Sequence, residues 1–175
     1  QLGISPDLRV ALFAGSAHAP NLQAAARLEA LAPQLEDRGW TVLIAGSVCK
    51  TRRTSQGCLV TGPLEDLTMC YEASDLAVNP VETGSGMNVK NLHAMARGLA
   101  VLCSPVGARG FEDGEERGLL EIASEDLPAL LGELQSDPAR LERLCQAAHR
   151  YAEQCFSWPA IVQRRLTFIA GHLSP

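Results

Sequence analysis

Asp75-Leu76-Ala77-Val78-Asn79-Pro80-Val81-Glu82-Thr83-Gly84-Ser85-Gly86-Met87-Asn88-Val89-Lys90 is the stretch that decides the fold. Residues 75–80 form a short apolar run of strand length, closed by proline. Thr83-Gly84-Ser85-Gly86 is a tight loop, since glycine opens backbone conformations closed to other residues. A helix is predicted from Met87 to Arg97, with Gly98 stopping it. Leu99–Cys103 is a further apolar strand, ended by Ser104-Pro105 and followed by the glycine-bearing loop 107–110. Strand, glycine loop, helix, strand is the unit of a parallel α/β sheet.

Working outward, the same alternation recurs. Leu8–Gly15 reads as a first strand, and Asn21 as the cap of a helix whose Leu28, Leu31 and Leu35 repeat at helical spacing up to Gly39. Trp40–Ala45 is a second strand. Residues 47–56 carry no period and read as a solvated loop or one short turn, holding Lys50, Arg52 and Arg53. Cys58–Thr61 is a third strand and Leu64–Ser74 a short helix. Leu119–Ala123 is a sixth strand beyond an acidic, exposed stretch at 112–116. Ser124, Asp137 (with Pro138 in the first turn) and Ser157 are read as caps of three closing helices. Apolar strands alternating with helices bury both sheet faces, and right-handed crossovers then give a Rossmann-like, doubly wound parallel sheet with a helical C-terminal tail. Residues 1–7 read as a residual linker and 8–175 as a single domain. The chain opens Gln1-Leu2-Gly3 without an initiator methionine, which suggests a piece of a longer protein.

Composition narrows the function. The chain has 175 residues, 46% hydrophobic and 20% charged, as in a folded soluble domain. A net charge of −5 argues against a general nucleic-acid partner, which would need excess cations. No apolar run reaches membrane-span length, and no leader pattern opens the chain. The six cysteines form no C-x-x-C pair and read as buried free thiols of a cytoplasmic protein, with a Cys49–Cys58 disulfide as the alternative.

In a doubly wound sheet, ligands gather beyond the C-terminal strand ends. Three of those ends carry glycines: Gly15-Ser16, Gly84-Ser85-Gly86 and 107–110. At the second, a helix start points free N–H groups and its positive dipole end at the loop, and Lys90 adds a full charge one turn in. Together these suit a diphosphate; the same residues also suit a plain turn with a solvated lysine. His18 follows the first strand, and Glu82 and Arg109 flank the cleft. His93 lies three residues beyond Lys90, hence on roughly the same helix face. There is no G-x-G-x-x-G, P-loop, G-x-S-x-G, D-x-D or H-E-x-x-H, so a dinucleotide, a P-loop nucleotide site, the hydrolase elbow and a dedicated metal site are all unsupported.

Several stretches together resemble the C-terminal half of group 1 GT-B glycosyltransferases. They are Gly62-Pro63-Leu64-Glu65-Asp66, Asp75–Pro80, Gly84-Ser85-Gly86-x-Asn88-x-Lys90, Ala94-Met95-Ala96-x-Gly98 and Pro105-Val106-Gly107-Ala108-Arg109-Gly110-Phe111. Phe13-x-Gly15-Ser16 with Pro20-Asn21 fits the start of that domain, and Phe156-Ser157-Trp158 the element before its last helix. The resemblance implies a donor-binding domain that holds a nucleotide sugar as substrate, with no separate cofactor and no metal. Gly84, Ser85, Gly86, Met87, Asn88 and Lys90 would hold the diphosphate, with Lys90 stabilising the leaving group and Glu82 a second catalytic candidate. Gly15, Ser16 and His18 would face the donor, and Pro63 and Leu64 would flank the base. At the position of the family's ribose-binding Glu this chain has His93, and Thr83 stands in the approximate place of the companion acid. A ring nitrogen supplies one hydrogen bond, so His93 replaces part of a bidentate ribose contact. The implied partners are the donor and an N-terminal, acceptor-binding domain, with peripheral membrane contact through the full enzyme. A transferase-like module without chemistry is the alternative.

Overall fold

The computed structural model describes residues 3–173. Seven strands form one sheet: β1 (Arg9–Ala14), β2 (Trp40–Ala45), β3 (Arg53–Ser55), β4 (Cys58–Val60), β5 (Leu76–Asn79), β6 (Ala100–Cys103) and β7 (Leu119–Glu121). Their order is β3-β4-β2-β1-β5-β6-β7. All pairings are parallel except β3 with β4. The helices are α1 (Ala19–Glu36), α2 (Thr68–Glu72), α3 (Val89–Ala96), α4 (Leu127–Ser136), α5 (Pro138–Phe156) and α6 (Trp158–Leu173). The chain lays β2 and β4 on one side of β1, then returns to lay β5, β6 and β7 on the other. The order therefore reverses between β1 and β5, and loops leaving those two strands diverge to opposite faces.

Alternate residues of each strand feed opposite faces, as a period of two requires. Ala11, Phe13, Val42, Ile44 and Val78 pack with Leu28 and Leu35 of α1 and Leu131 of α4. Leu12, Leu43, Ala77 and Val101 pack with Tyr71 of α2, Met95 of α3 and Tyr151 of α5. Trp40 is fully buried, and its indole N–H donates to Leu131 O at 2.9 Å, so the bulkiest core side chain leaves no orphan donor.

Several boundaries differ from the sequence reading. Residues 53–55 are a strand, not loop: Arg53, Thr54 and Ser55 pair antiparallel with Val60, Leu59 and Cys58. Both faces of this edge strand are exposed, so no apolar alternation marks it. Gly57, at φ 66°, turns the hairpin that replaces the missing crossover helix. α1 starts at Ala19 with His18 at its N-cap, so Asn21 sits inside the first turn rather than capping it. α2 is only Thr68–Glu72, because Asp66 accepts from Thr68 N (2.9 Å) and Oγ1 (2.7 Å) and holds the preceding residues in a turn. α3 starts at Val89, two residues late. Ser124 opens a 3₁₀ turn ahead of α4 and makes no cap bond. Asp137 does cap α5, accepting from Arg140 N at 2.9 Å, and Ser157 Oγ accepts from Ala160 N at 3.4 Å. All six cysteines are free thiols, so Cys49 and Cys58 are not bridged. Of the expected linker, residues 1 and 2 lie outside the described residues. No helix among the described residues is long and apolar enough to cross a membrane.

Two glycines separate conformational from steric constraint. Gly98 (φ 78°) has open space where a Cβ would stand. At Gly118 (φ 65°) a Cβ would run into Leu144 O and Ala148 N of α5. Gly98→Ala should cost only the left-handed penalty of about 1–2 kcal/mol. Gly118→Ala should cost a further ~1–3 kcal/mol of overpacking. Urea unfolding of both variants checks this; equal losses would mean that α5 yields freely at Gly118.

Candidate functional site

The loops leaving β1 and β5 open at the switch point. Gly15 continues β1, its N–H donating to Ala45 O at 3.0 Å, and its own carbonyl accepts from Val48 N at 3.0 Å. A Cβ on Gly46 would stand 2.6 Å from Gly15 O, so the two backbones meet closely there. Ser16 and His18 are exposed beyond this contact. The His18 carbonyl accepts from Leu22 N at 3.0 Å, while its ring makes no cap bond. At the end of β4, Pro63 and Leu64 are exposed.

The loop after β5 carries Gly84 at φ 130° and Gly86 at φ 79°. Neither would meet any atom with an added Cβ, so these glycines serve the backbone path and leave its outer side clear. No side chain caps α3: the Asn88 amide donates instead to Val106 O at 3.1 Å. The first N–H groups of α3 are therefore presented beside the glycine loop. Met87 packs on Gly110, whose Cβ position is 3.1 Å from the Met87 Cγ. Arg109 Nη1 donates to Gly84 O at 2.9 Å, latching the second glycine loop onto the first.

Two buried carboxamides fix this arrangement. Asn79 Nδ2 donates to Asn91 Oδ1 at 2.9 Å, and Asn91 Nδ2 donates to Gly107 O at 2.9 Å. Ser104 Oγ donates to Val81 O and accepts from Gly107 N at 3.0 Å. The end of β5, helix α3 and both glycine loops are thereby tied through the interior. The sequence reading assigned none of these three residues; their signal was polar side chains inside or beside apolar strand and helix runs.

Lys90 is half-buried. Its side chain runs from α3, on one face of the sheet, across the strand ends to α1 on the other. There the ammonium donates to Asn21 Oδ1 at 2.5 Å and lies 4.6 Å from the centre of the Phe13 ring. Burial lowers its pKa to about 8. No carboxylate pairs with it among the described residues, so its charge is uncompensated.

The remaining candidates sit differently. Glu82 is paired with Arg27, whose Nη2 is 2.7 Å from Oε2, and Arg27 also reaches Pro80 O and Ser124 Oγ at 3.5 Å. Its carboxylate is thus held at the start of the glycine loop by a cation of α1. His93 is exposed and lines a groove with Leu92, Ala96 and His149, whereas Lys90 lines a small cavity with Leu12, Ala14 and Tyr71. The expectation that His93 and Lys90 share a face is therefore corrected, because the lysine stem turns inward over the strand ends. Asn21, read as a helix cap, is the residue that meets Lys90.

A protein-family model described as "Glycosyl transferases group 1" matches residues 9–137. No curated protein sequence matches the chain. Among solved structures, a sucrose-phosphate synthase from Thermosynechococcus elongatus aligns with TM-score 0.72 at 19% identity, covering 99% of this chain and 48% of that one. The Anabaena protein HepE, solved with UDP-glucose, aligns with TM-score 0.72 at 17% identity, covering 97% and 50%. The C-terminal domain of a group 1 family glycosyl transferase from Francisella tularensis aligns with TM-score 0.60 at 17% identity, covering 86% and 87%. The chain thus spans about half the length of the first two. Its fold is that of the C-terminal half of a GT-B glycosyltransferase, and with most of its length inside the family model it belongs to the group 1 glycosyl transferases.

Proposed function

We propose that this chain binds the nucleotide-sugar donor of a retaining, metal-independent glycosyltransferase whose acceptor is held by a separate N-terminal domain. The observation that carries the reading is Lys90, an ammonium without an ion-pair partner among the described residues, on the helix whose uncapped start follows an open glycine loop. In this reading Gly84, Ser85, Gly86, Met87 and Asn88 line the diphosphate through backbone and side-chain donors, and Lys90 neutralises charge as the sugar–phosphate bond breaks. Gly15, Ser16 and His18 face the donor from β1, and Pro63 and Leu64 flank the base. Glu82, held by Arg27, acts as an orienting carboxylate. His93 is the ribose candidate by resemblance alone. HepE was solved with UDP-glucose and with UDP and glucose, which supports a nucleotide-sugar ligand for the fold.

The half-enzyme part is supported by coverage of about half of the neighbours' length. It is also supported by α6, whose Trp158, Val162, Leu166 and Ile169 are exposed apolar side chains suited to a partner domain. The transferase-like module without chemistry is favoured by the Arg27-bound Glu82 and by His93 in place of an acid.

This reading sets outcomes for binding, pH dependence and transfer. A nucleoside diphosphate at ~100 Kd should stabilise the chain by roughly 2.7 kcal/mol with no divalent metal present, read as a rise in melting temperature. A rise seen only with magnesium would reject metal independence, and none with uridine, guanosine or adenosine diphosphates would reject the donor site. Lys90→Met keeps the buried stem and removes the charge. It should weaken diphosphate binding by ~1.5–3 kcal/mol, one to two decades, and leave nucleoside binding unchanged in calorimetry. In the wild type the affinity should fall as pH rises through about 8, where the ammonium loses its proton, and Lys90→Met should abolish that dependence. The unliganded fold carries the opposite sign. Its lysine pKa lies below the ordinary 10.5, so stability rises between about 8 and 10.5, where the unfolded chain binds more protons. Finally, labelled-donor assays should show transfer by the intact gene product and none by residues 1–175, because rate depends on donor and acceptor held together. Acceptor glycosylation by the isolated chain would overturn the half-enzyme reading.

A further inference from the structure

We propose that Asn21 is the positioning residue for Lys90: its carboxamide holds the ammonium at the strand ends with a neutral partner that leaves the cation free for a diphosphate. This inference rests on the donor-site reading and deepens it. Asn21 makes contacts in two directions. Its Oδ1 accepts from Lys90 Nζ at 2.5 Å, and its Nδ2 donates to Ser16 O at 3.0 Å and Ser16 Oγ at 3.4 Å. One side chain therefore joins α3, α1 and the β1 exit loop. Gly15 is part of the same fit, since a Cβ there would stand 3.3 Å from both the Asn21 Cγ and the Phe13 ring.

The chemistry of the pair sets what it does. A lysine ammonium has three donors and no acceptor. Asn21 takes one of them, and the Phe13 ring face attracts the cation 4.6 Å away without accepting a proton. The donors left over are available to anionic oxygens. An aspartate at this position would be isosteric but would cancel the charge, and a diphosphate would then have to compete with it. An aliphatic residue would leave the cation without its acceptor, and the Ser16 loop without its tie. The cavity beside Lys90 is lined by Leu12, Ala14, Ala77, Val78 and Ala94, with Tyr71 of α2 the titratable group among the residues around it. Burial is the cause of the lysine's lowered pKa.

The sequence holds two lysines, Lys50 and Lys90, so isotope-labelled lysine side chains give two NMR signals, and Lys50→Arg identifies which belongs to Lys90. In the unliganded chain, Asn21→Asp should raise the Lys90 titration midpoint by about 1–3 pH units, and Asn21→Leu should lower it. Aspartate suits the first turn of α1, where the helix dipole favours an anion, so Asn21→Asp keeps the fold. Inorganic pyrophosphate is the ligand probe. At pH 7 Asn21→Asp should weaken its binding about tenfold or more, and Asn21→Leu by a smaller factor. A Lys90 midpoint that stays put in both variants overturns the positioning role, whether or not the wild type binds pyrophosphate. Shifted midpoints with undiminished pyrophosphate affinity in Asn21→Asp overturn it as well. Midpoints shifted in both variants uphold the positioning role, and a wild type that then binds neither pyrophosphate nor any nucleoside diphosphate counts against the donor reading instead.

Discussion

The chain of hydrogen bonds from Asn79 through Asn91 to the Gly107 carbonyl is the constraint on which the site depends. Asn79 ends β5, Asn91 lies in α3, and Gly107 belongs to the second glycine loop, so one buried polar line runs through three elements. Both carboxamides are 1% exposed. A bond of this kind contributes about 1 kcal/mol when made, and breaking it strands a buried partner at a cost of ~1–3 kcal/mol. That asymmetry penalises any shift of α3 on the sheet, beside the packing of its own Ala94 and Met95. With α3 fixed, its uncapped N-terminus and the open side of Gly84 and Gly86 are fixed too. Ser104, bridging Val81 and Gly107, repeats the device one strand further on.

Lys90 is the consequence at the surface of that frame. Drawing an ammonium out of water disfavours its charged form, which is why its pKa falls to about 8. Asn21 and Phe13 compensate in part, by one hydrogen bond and one ring face, but neither supplies a negative charge. An anion arriving at the glycine loop would supply it. A site with an unbalanced cation before the ligand comes is one in which electrostatic stabilisation needs little rearrangement during reaction. Glu82 is the counterexample within the same cleft, since Arg27 already balances its carboxylate.

The doubly wound sheet was legible because its parallel strands are buried on both faces and read as continuous apolar runs. Ala100–Cys103 and Trp40–Ala45 are of this kind. The edge strand Arg53–Ser55 was not, because a strand exposed on both faces has no pattern to show. The placement of Gly84 and Gly86 in a loop just ahead of a helix carrying Lys90 was legible from the glycine pair and the period that follows it. The partner of Lys90 was not. Asn21 lies 69 positions away, and locally its best use is as a cap, a role that His18 occupies at the backbone. The shared face expected of His93 and Lys90 rested on spacing: i, i+3 puts two Cβ atoms near one another, but a long lysine stem turning across the strand ends leaves that face.

The most direct test of the account is an amide ¹H–¹⁵N map of the chain titrated with a nucleoside diphosphate in the absence of divalent metal. The account predicts that the largest shifts fall on Gly84–Lys90 and on Gly15 and Ser16, with the Asn21 side-chain amide moving alongside them. Shifts gathered instead at the opposite end of the sheet, around the hollow lined by Ile4, Leu8, Arg9 and Asp75, would contradict it.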